Sequence, residues 1–288
     1  MLVNALAGTS EKPLLTKKVR GIIQLFRPEL PFAAGICVVL GEIVALGGFP
    51  SIRECILGFI CGFFISGSAI VLNDYFDLEV DKINTPGRPM AAGIISPTEA
   101  IVLTVLSGMI GLSASFDLGL PAFFLCVIFW VIGCLYNWKL KEAGLLGNLM
   151  VSSSVGITFI LGGMAVGDPW NKIVWCFAWM AFFIDLGEEI AGDAMDIEGD
   201  KKRASRSIAI VRGRRFALTV SGSLFGLVIL ISLLPVFFGW MGMSYLVLIL
   251  ITDALIIVFT RHLLKSKTSG QGRYAMRGIY PQALPDPA

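Results

Sequence analysis

Eight long apolar runs constrain this chain more than any other feature of its sequence. They cover Phe32–Gly48, Ile52–Leu72, Ala100–Ser115, Leu120–Trp138, Gly144–Val166, Ile173–Ile190, Phe216–Phe238 and Met243–Leu264. A helix needs about 20 apolar residues to cross a hydrocarbon core, and each run is near that length. The runs are continuous and do not alternate, which selects helices over barrel strands. Gly-Gly, Gly-Asp-Pro and Asp-Leu-Gly breakers fall between them. The composition agrees, with 15% charged residues and a mean hydropathy of +0.79, where soluble domains carry about 25% charged residues. The expected fold is all-α, a polytopic transmembrane bundle.

Charge placement tests the span count and sets an orientation. With the N-terminus on the cytoplasmic side and the spans alternating, only Arg53 and Lys172 of the 23 Lys and Arg fall in outer loops. A wrong count would scramble that bias, because basic residues accumulate on the cytoplasmic side. The expected location is therefore a cell membrane, multi-pass, with the N-terminus inside. No cleavable signal segment is read, since a polar, basic stretch of about thirty residues precedes the first run. Residues 1–27 read as a basic cytoplasmic tail, weakly ordered over 1–20, whose Lys17, Lys18 and Arg20 can rest on anionic headgroups. Residues 28–266 read as the membrane domain and 267–288 as a polar tail. The six cysteines form no C-x-x-C pair and mostly lie in apolar runs, where buried small hydrophobes are expected. His262 sits between Arg261 and Lys265 at a helix end, which suits interfacial solvation. No nucleic-acid partner is expected.

Two inside regions are acidic where the others are basic. Asp74, Asp77 and Asp81 follow D-x-x-D-x-x-x-D, and Asp193, Asp196 and Asp200 repeat it. Steps of three and four return to one helix face, so each region is expected to stack its carboxylates in one stripe, with Glu189 extending the second. Like charges so placed repel unless a cation neutralises them. Hard divalent ions with oxygen ligands suit that role, and Mg²⁺ commonly shares its coordination with substrate phosphates. Two facing stripes could hold a diphosphate through bridging metal ions. The blander alternative is a pair of solvated acidic loops. The stripes follow the second and sixth runs, a separation that hints at duplicated four-helix halves, although no sequence repeat is evident beyond the motifs.

The stretch from Asn73 through Asp81 to Asp-Lys-Ile-Asn-Thr-Pro-Gly-Arg-Pro resembles the first signature of the UbiA superfamily of intramembrane prenyltransferases. Asp193 to Lys201 resembles its second, Tyr136 to Lys141 resembles its Y-x-x-x-L-K element, and Arg27-Pro28 also fits. The resemblance runs from about Arg27 to Leu264. It implies a bundle around a central cavity with cytoplasmic loop helices, Mg²⁺, and an isoprenyl diphosphate donor. It implies metal and diphosphate binding by Asn73, Asp74, Asp77 and Asp81 from one side and by Asp193, Asp196 and Asp200 from the other. Among these it gives Asp77, Asp81, Asp196 and Asp200 the catalytic role, and makes Asn73, Arg88, Lys141 and Lys201 diphosphate contacts. Phe59, Phe63, Phe64, Phe129 and Trp130 are expected in the cavity wall.

Within the family, the Asn73 to Asp77 start and the Glu198 to Lys201 ending resemble archaeal digeranylgeranylglyceryl phosphate synthases. That likeness implies transfer of a geranylgeranyl group to a lipophilic acceptor, geranylgeranylglyceryl phosphate. Glu188 and Gly192 stand where that subgroup is expected to carry basic residues, which keeps an aromatic acceptor of the quinone or methanophenazine type open. Arg273 to Tyr280 resembles the start of the family's usual ninth span, but Pro281, Pro285 and Pro287 end it. Among rival classes, a CDP-alcohol phosphotransferase lacks its D-G-x-x-A-R element here. A cation transporter would bury its acids near midplane, whereas these lie at span ends. Soluble terpene synthases do not carry eight spans.

Overall fold

The computed structural model describes residues 11–197 and 206–279. Among them every regular element is a helix. The order is α1 Glu11–Phe26, α2 Glu29–Leu46, α3 Ile52–Phe76, α4 Leu78–Asn84, α5 Pro97–Leu118, α6 Leu120–Leu135, α7 Leu145–Ala165 and α8 Lys172–Met195. Then follow α9 Ile208–Arg212, α10 Arg214–Ser232, α11 Leu234–Phe237, α12 Met243–Lys265 and α13 Ser269–Ile279. A π-helical turn over Tyr136–Leu140 extends α6.

Seven helical segments are long and apolar enough to cross a membrane: α2, α3, α5, α6 with its π turn, α7, α10 with α11, and α12. The run Ile173–Ile190 falls in α8, which is 24 residues long but carries Asp185, Glu188, Glu189 and Asp193. The chain is a multi-pass membrane protein. Its helix starts follow from local chemistry. Ser51 and Ser96 form capping boxes with Glu54 and Glu99 at α3 and α5, and the Asn171 side chain accepts from the amides of Ile173 and Val174 at α8. Each cap satisfies amides that the first helical turn leaves without partners.

Helices α5, α3, α2, α7, α8 and α10 pack in succession, and α6 bridges α5 to α7. Where α2 meets α7, the backbones approach so closely that a Cβ on Gly162 would lie 2.1 Å from the Val38 carbonyl oxygen. One on Gly41 would lie 2.3 Å from that of Phe159. Small residues at such crossings let membrane helices gain dispersion contact where the hydrophobic effect offers none.

Two segments differ from the tails expected. Residues 11–26 form α1, because Ile22, Leu25 and Phe26 pack with Val71, Ile95 and Ala100 in one cluster. Residues 269–279 form α13, which buries Gly272 and Ala275 and packs on α8 and α12. Asp200 and Lys201 lie outside the described residues.

Candidate active site

A cavity of about 420 Å³ opens among α2, α3, α6, α7 and α8. Its lining changes character along the helices. Near the acidic motifs it consists of Arg27, Asn73, Tyr136, Asn137, Asp185, Glu188 and Glu189; farther along the same helices it is Cys61, Ile65, Leu125, Ile157 and Leu161. From Asn73 to Cys61 is about 18 Å of helix at about 1.5 Å per residue. Phe129 and Trp130 line the wall as expected. Phe59, Phe63 and Phe64 do not: they stack on one another and on Phe26 and Phe32, because their stretch of α3 turns toward α1 and α2.

The first motif is not one stripe. Helix α3 ends at Phe76, Asp77 is the junction residue, and α4 starts at Leu78. The break divides the side chains into two sets. Asp74 is 2% exposed; it pairs with Arg27 and lies 3.2 Å from Arg88 Nη1. Asp81 accepts from Arg88 Nη1 at 2.7 Å and from Thr85 Oγ1 at 2.9 Å. Asp77 instead pairs with Lys141 from the far end of the π turn. Arg27 is the one non-glycine residue with positive φ (44°) among those described, so the chain turns sharply between α1 and α2 to bring its guanidinium to Asp74 and the cavity.

The π turn positions two residues at once. Lys141 N donates to Tyr136 O across five residues, the wider ring that π turns close, often at functional sites. Asn137 Nδ2 donates to Ala69 O at 3.1 Å and Gly133 O at 3.0 Å. Its Oδ1 therefore takes Asn73 Nδ2 at 2.9 Å. With its amide turned the other way, Asn73 donates from Nδ2 to Asp77 Oδ2 at 3.2 Å and accepts at Oδ1 from Lys141 Nζ at 3.1 Å. That orientation ties Asn73 to both Asp77 and Lys141 and leaves its oxygen 2.9 Å from Asn137 Oδ1.

The second motif is built on α8 and braced by α7. Asp185, Glu189 and Asp193 recur at intervals of four on one face. Asn148 Nδ2 donates to Asp193 Oδ2 at 2.9 Å, and Ser152 Oγ donates to Asp185 Oδ2 at 2.8 Å. The two ties lie one turn apart on α7 and two turns apart on α8. Asp196 caps the end of α8, is half exposed, and pairs with Arg273 of α13. The carboxylates of Asp77, Asp185, Glu189 and Asp193 all act electrostatically on the Tyr136 hydroxyl, and Lys141 acts on Glu189 as well as pairing with Asp77. The two motifs thus meet around Tyr136 and Lys141. Sequence reasoning missed Asp185, which its position four residues before Glu189 could have revealed. It also missed Asn148 and Ser152, which carry no local signal.

The UbiA prenyltransferase family profile matches residues 34–280. The chain belongs to this family. It is 34% identical to the digeranylgeranylglyceryl phosphate synthase of Thermococcus kodakarensis, over 86% of this chain and 88% of that one. With the synthase of the same name from Pyrococcus furiosus the identity is 33%, over 90% and 93%. A solved structure of a digeranylgeranylglyceryl phosphate synthase superimposes with a TM-score of 0.75 at 29% identity, covering 91% of this chain and 93% of that one. The apo UbiA homologue of Aeropyrum pernix K1 shares the fold, with a TM-score of 0.74 at 19% identity and the same coverage. So does the Archaeoglobus fulgidus UbiA homologue bound to GPP and Mg²⁺, with a TM-score of 0.67 at 17% identity over 91% and 98%. As a member of this family the chain is a membrane prenyltransferase.

Proposed function

We propose that this UbiA enzyme transfers a geranylgeranyl group from its diphosphate to geranylgeranylglyceryl phosphate, with Mg²⁺, at the cytoplasmic end of the bundle. The observation that carries the reading is that Asn73, at the start of the first acidic motif, and Glu189, which extends the second, line the polar mouth of one apolar cavity. The names of the relatives support the acceptor, and the distribution of basic residues supports the orientation.

The residues fit Mg²⁺. Asn73 and Asp77 place an amide and a carboxylate side by side, 3.2 Å apart at their nearest atoms and next to Lys141. All the candidate donors are hard oxygens. Mg²⁺ takes one or two carboxylates and completes its shell with phosphate and water. Asn73 and Asp77 would hold it on one wall and Asp193 on the other, with Asp196 and Asp200 following. When bound, Mg²⁺ neutralises the diphosphate as it leaves.

Lys141, placed between Asp77 and Glu189, contacts the diphosphate oxygens. Arg88 fixes Asp81 and, with Arg27, neutralises Asp74, so Asp74 serves the arginines and leaves metal binding to its neighbours. The C1–oxygen bond of the allylic diphosphate breaks, and its electron pair departs with the diphosphate. The acceptor oxygen bonds to C1 and releases its proton. The apolar walls keep water from the electron-poor C1, and Phe129 and Trp130 offer their rings to it.

One observation favours a second reading. Asp185, Glu188 and Glu189 line the cavity, and a wall of carboxyl groups with no basic residue among them disfavours a phosphate-bearing acceptor relative to an uncharged phenol. A transfer assay in membranes, with labelled geranylgeranyl diphosphate and Mg²⁺, decides between them. Product with geranylgeranylglyceryl phosphate is the expected outcome. Product only with aromatic acids or quinols moves the enzyme to the quinone type. No product with either, and no Mg²⁺-dependent diphosphate binding, overturns the site.

A further inference from the structure

Helix α1 lies outside the chemistry described above, yet it is built for a surface. Turning about 100° per residue, it divides into three faces. One packs on the bundle: a Cβ on Gly21 would lie 2.8 Å from Ile94 Cγ2, Leu25 is fully buried, and Lys18 pairs with Glu99 at the start of α5. The second is an exposed apolar stripe of Leu15, Val19 and Ile23, 66%, 50% and 54% exposed, at intervals of four. The third is polar and exposed, with Lys17, Arg20 and Gln24.

We infer that α1 lies in the plane of the membrane, its Leu15–Val19–Ile23 stripe in the acyl boundary and Lys17 and Arg20 on anionic lipid headgroups of the leaflet at the active-site end. Three observations carry this. The helix is held at that end of the bundle, because Arg27, which follows it, pairs with Asp74 at the last turn of α3. The stripe is apolar and exposed on a protein whose spans are already in the bilayer. The opposite face carries positive charge, matching an anionic interface. Helices of this kind combine an apolar face a few ångströms deep with basic residues at headgroup level.

The test is hydrogen–deuterium exchange of the full-length protein in nanodiscs holding one copy each. Discs of phosphatidylcholine alone are compared with discs containing phosphatidylglycerol. Amides of residues 15–24 are expected to exchange more slowly with phosphatidylglycerol, and K17E/R20E is expected to shift docking roughly fivefold per residue replaced. V19D/I23D should abolish the protection in both lipids. Exchange in α2 and α3 unchanged by either variant shows that the bundle is folded. Equal exchange in the two lipids with no response to K17E/R20E overturns the inference. Protection that appears only with two copies per disc assigns the stripe to a second copy and overturns it as well.

Discussion

The two acidic regions share one residue spacing and are held in opposite ways. Around α3 and α4 each carboxylate meets a cation: Asp74 meets Arg27 and Arg88, Asp81 meets Arg88, and Asp77 meets Lys141. Along α8 the ties from α7 are neutral donors, Asn148 on Asp193 and Ser152 on Asp185. At the exposed end Asp196 pairs with Arg273 of α13. Identical spacing therefore does not mean identical electrostatics. The first region is compensated before any ligand arrives and fixes geometry. The ties from α7 to the second are neutral donors, which fix geometry without adding positive charge.

The largest effect expected is at Asp77. Asp77→Ala should lower prenyl transfer by roughly 10²–10³-fold or more while the protein still elutes as a single folded species. Full activity would remove the first region from the chemistry. Arg27→Ala should be mainly a stability lesion, about 3 kcal/mol in thermal unfolding in detergent, because buried Asp74 loses a partner. Asn148→Ala, which removes a neutral tie, should cost about 1 kcal/mol. Equal losses in these two variants would break the contrast. The smallest effect concerns repulsion along α8. Without metal, Asp185→Asn should stabilise by about 0.5 kcal/mol by relieving its like-charge neighbour Glu189, and Mg²⁺ with pyrophosphate should shrink that gain. A gain unchanged by Mg²⁺ would mean that no cation comes near α8.

Much of this is legible in the sequence. The apolar runs mark helices because a bilayer imposes length and continuity at once, and the spacing of Asp193 marks a real helical face. The break at Asp77 was not legible: no glycine or proline announces it, and the three-and-four spacing suits an unbroken helix equally well. Helix α1 did leave a signal. Leu15, Val19, Ile22 and Ile23 with Leu25 and Phe26 follow a helical period, but the basic residues among them suggested a tail. Asn148 and Ser152 were beyond reach, since their partners lie 45 and 33 residues away.

The π turn at the end of α6 has a consequence for how this site could be gained or lost. A π turn amounts to an α-helix with one residue inserted. Deleting Trp138 or Lys139 would keep every chemical group of the site yet swing Lys141 by about 100°, away from Asp77, and draw it one step back along the axis. The meeting of the two halves is thus a matter of phase, set by a one-residue insertion, as much as of residue type.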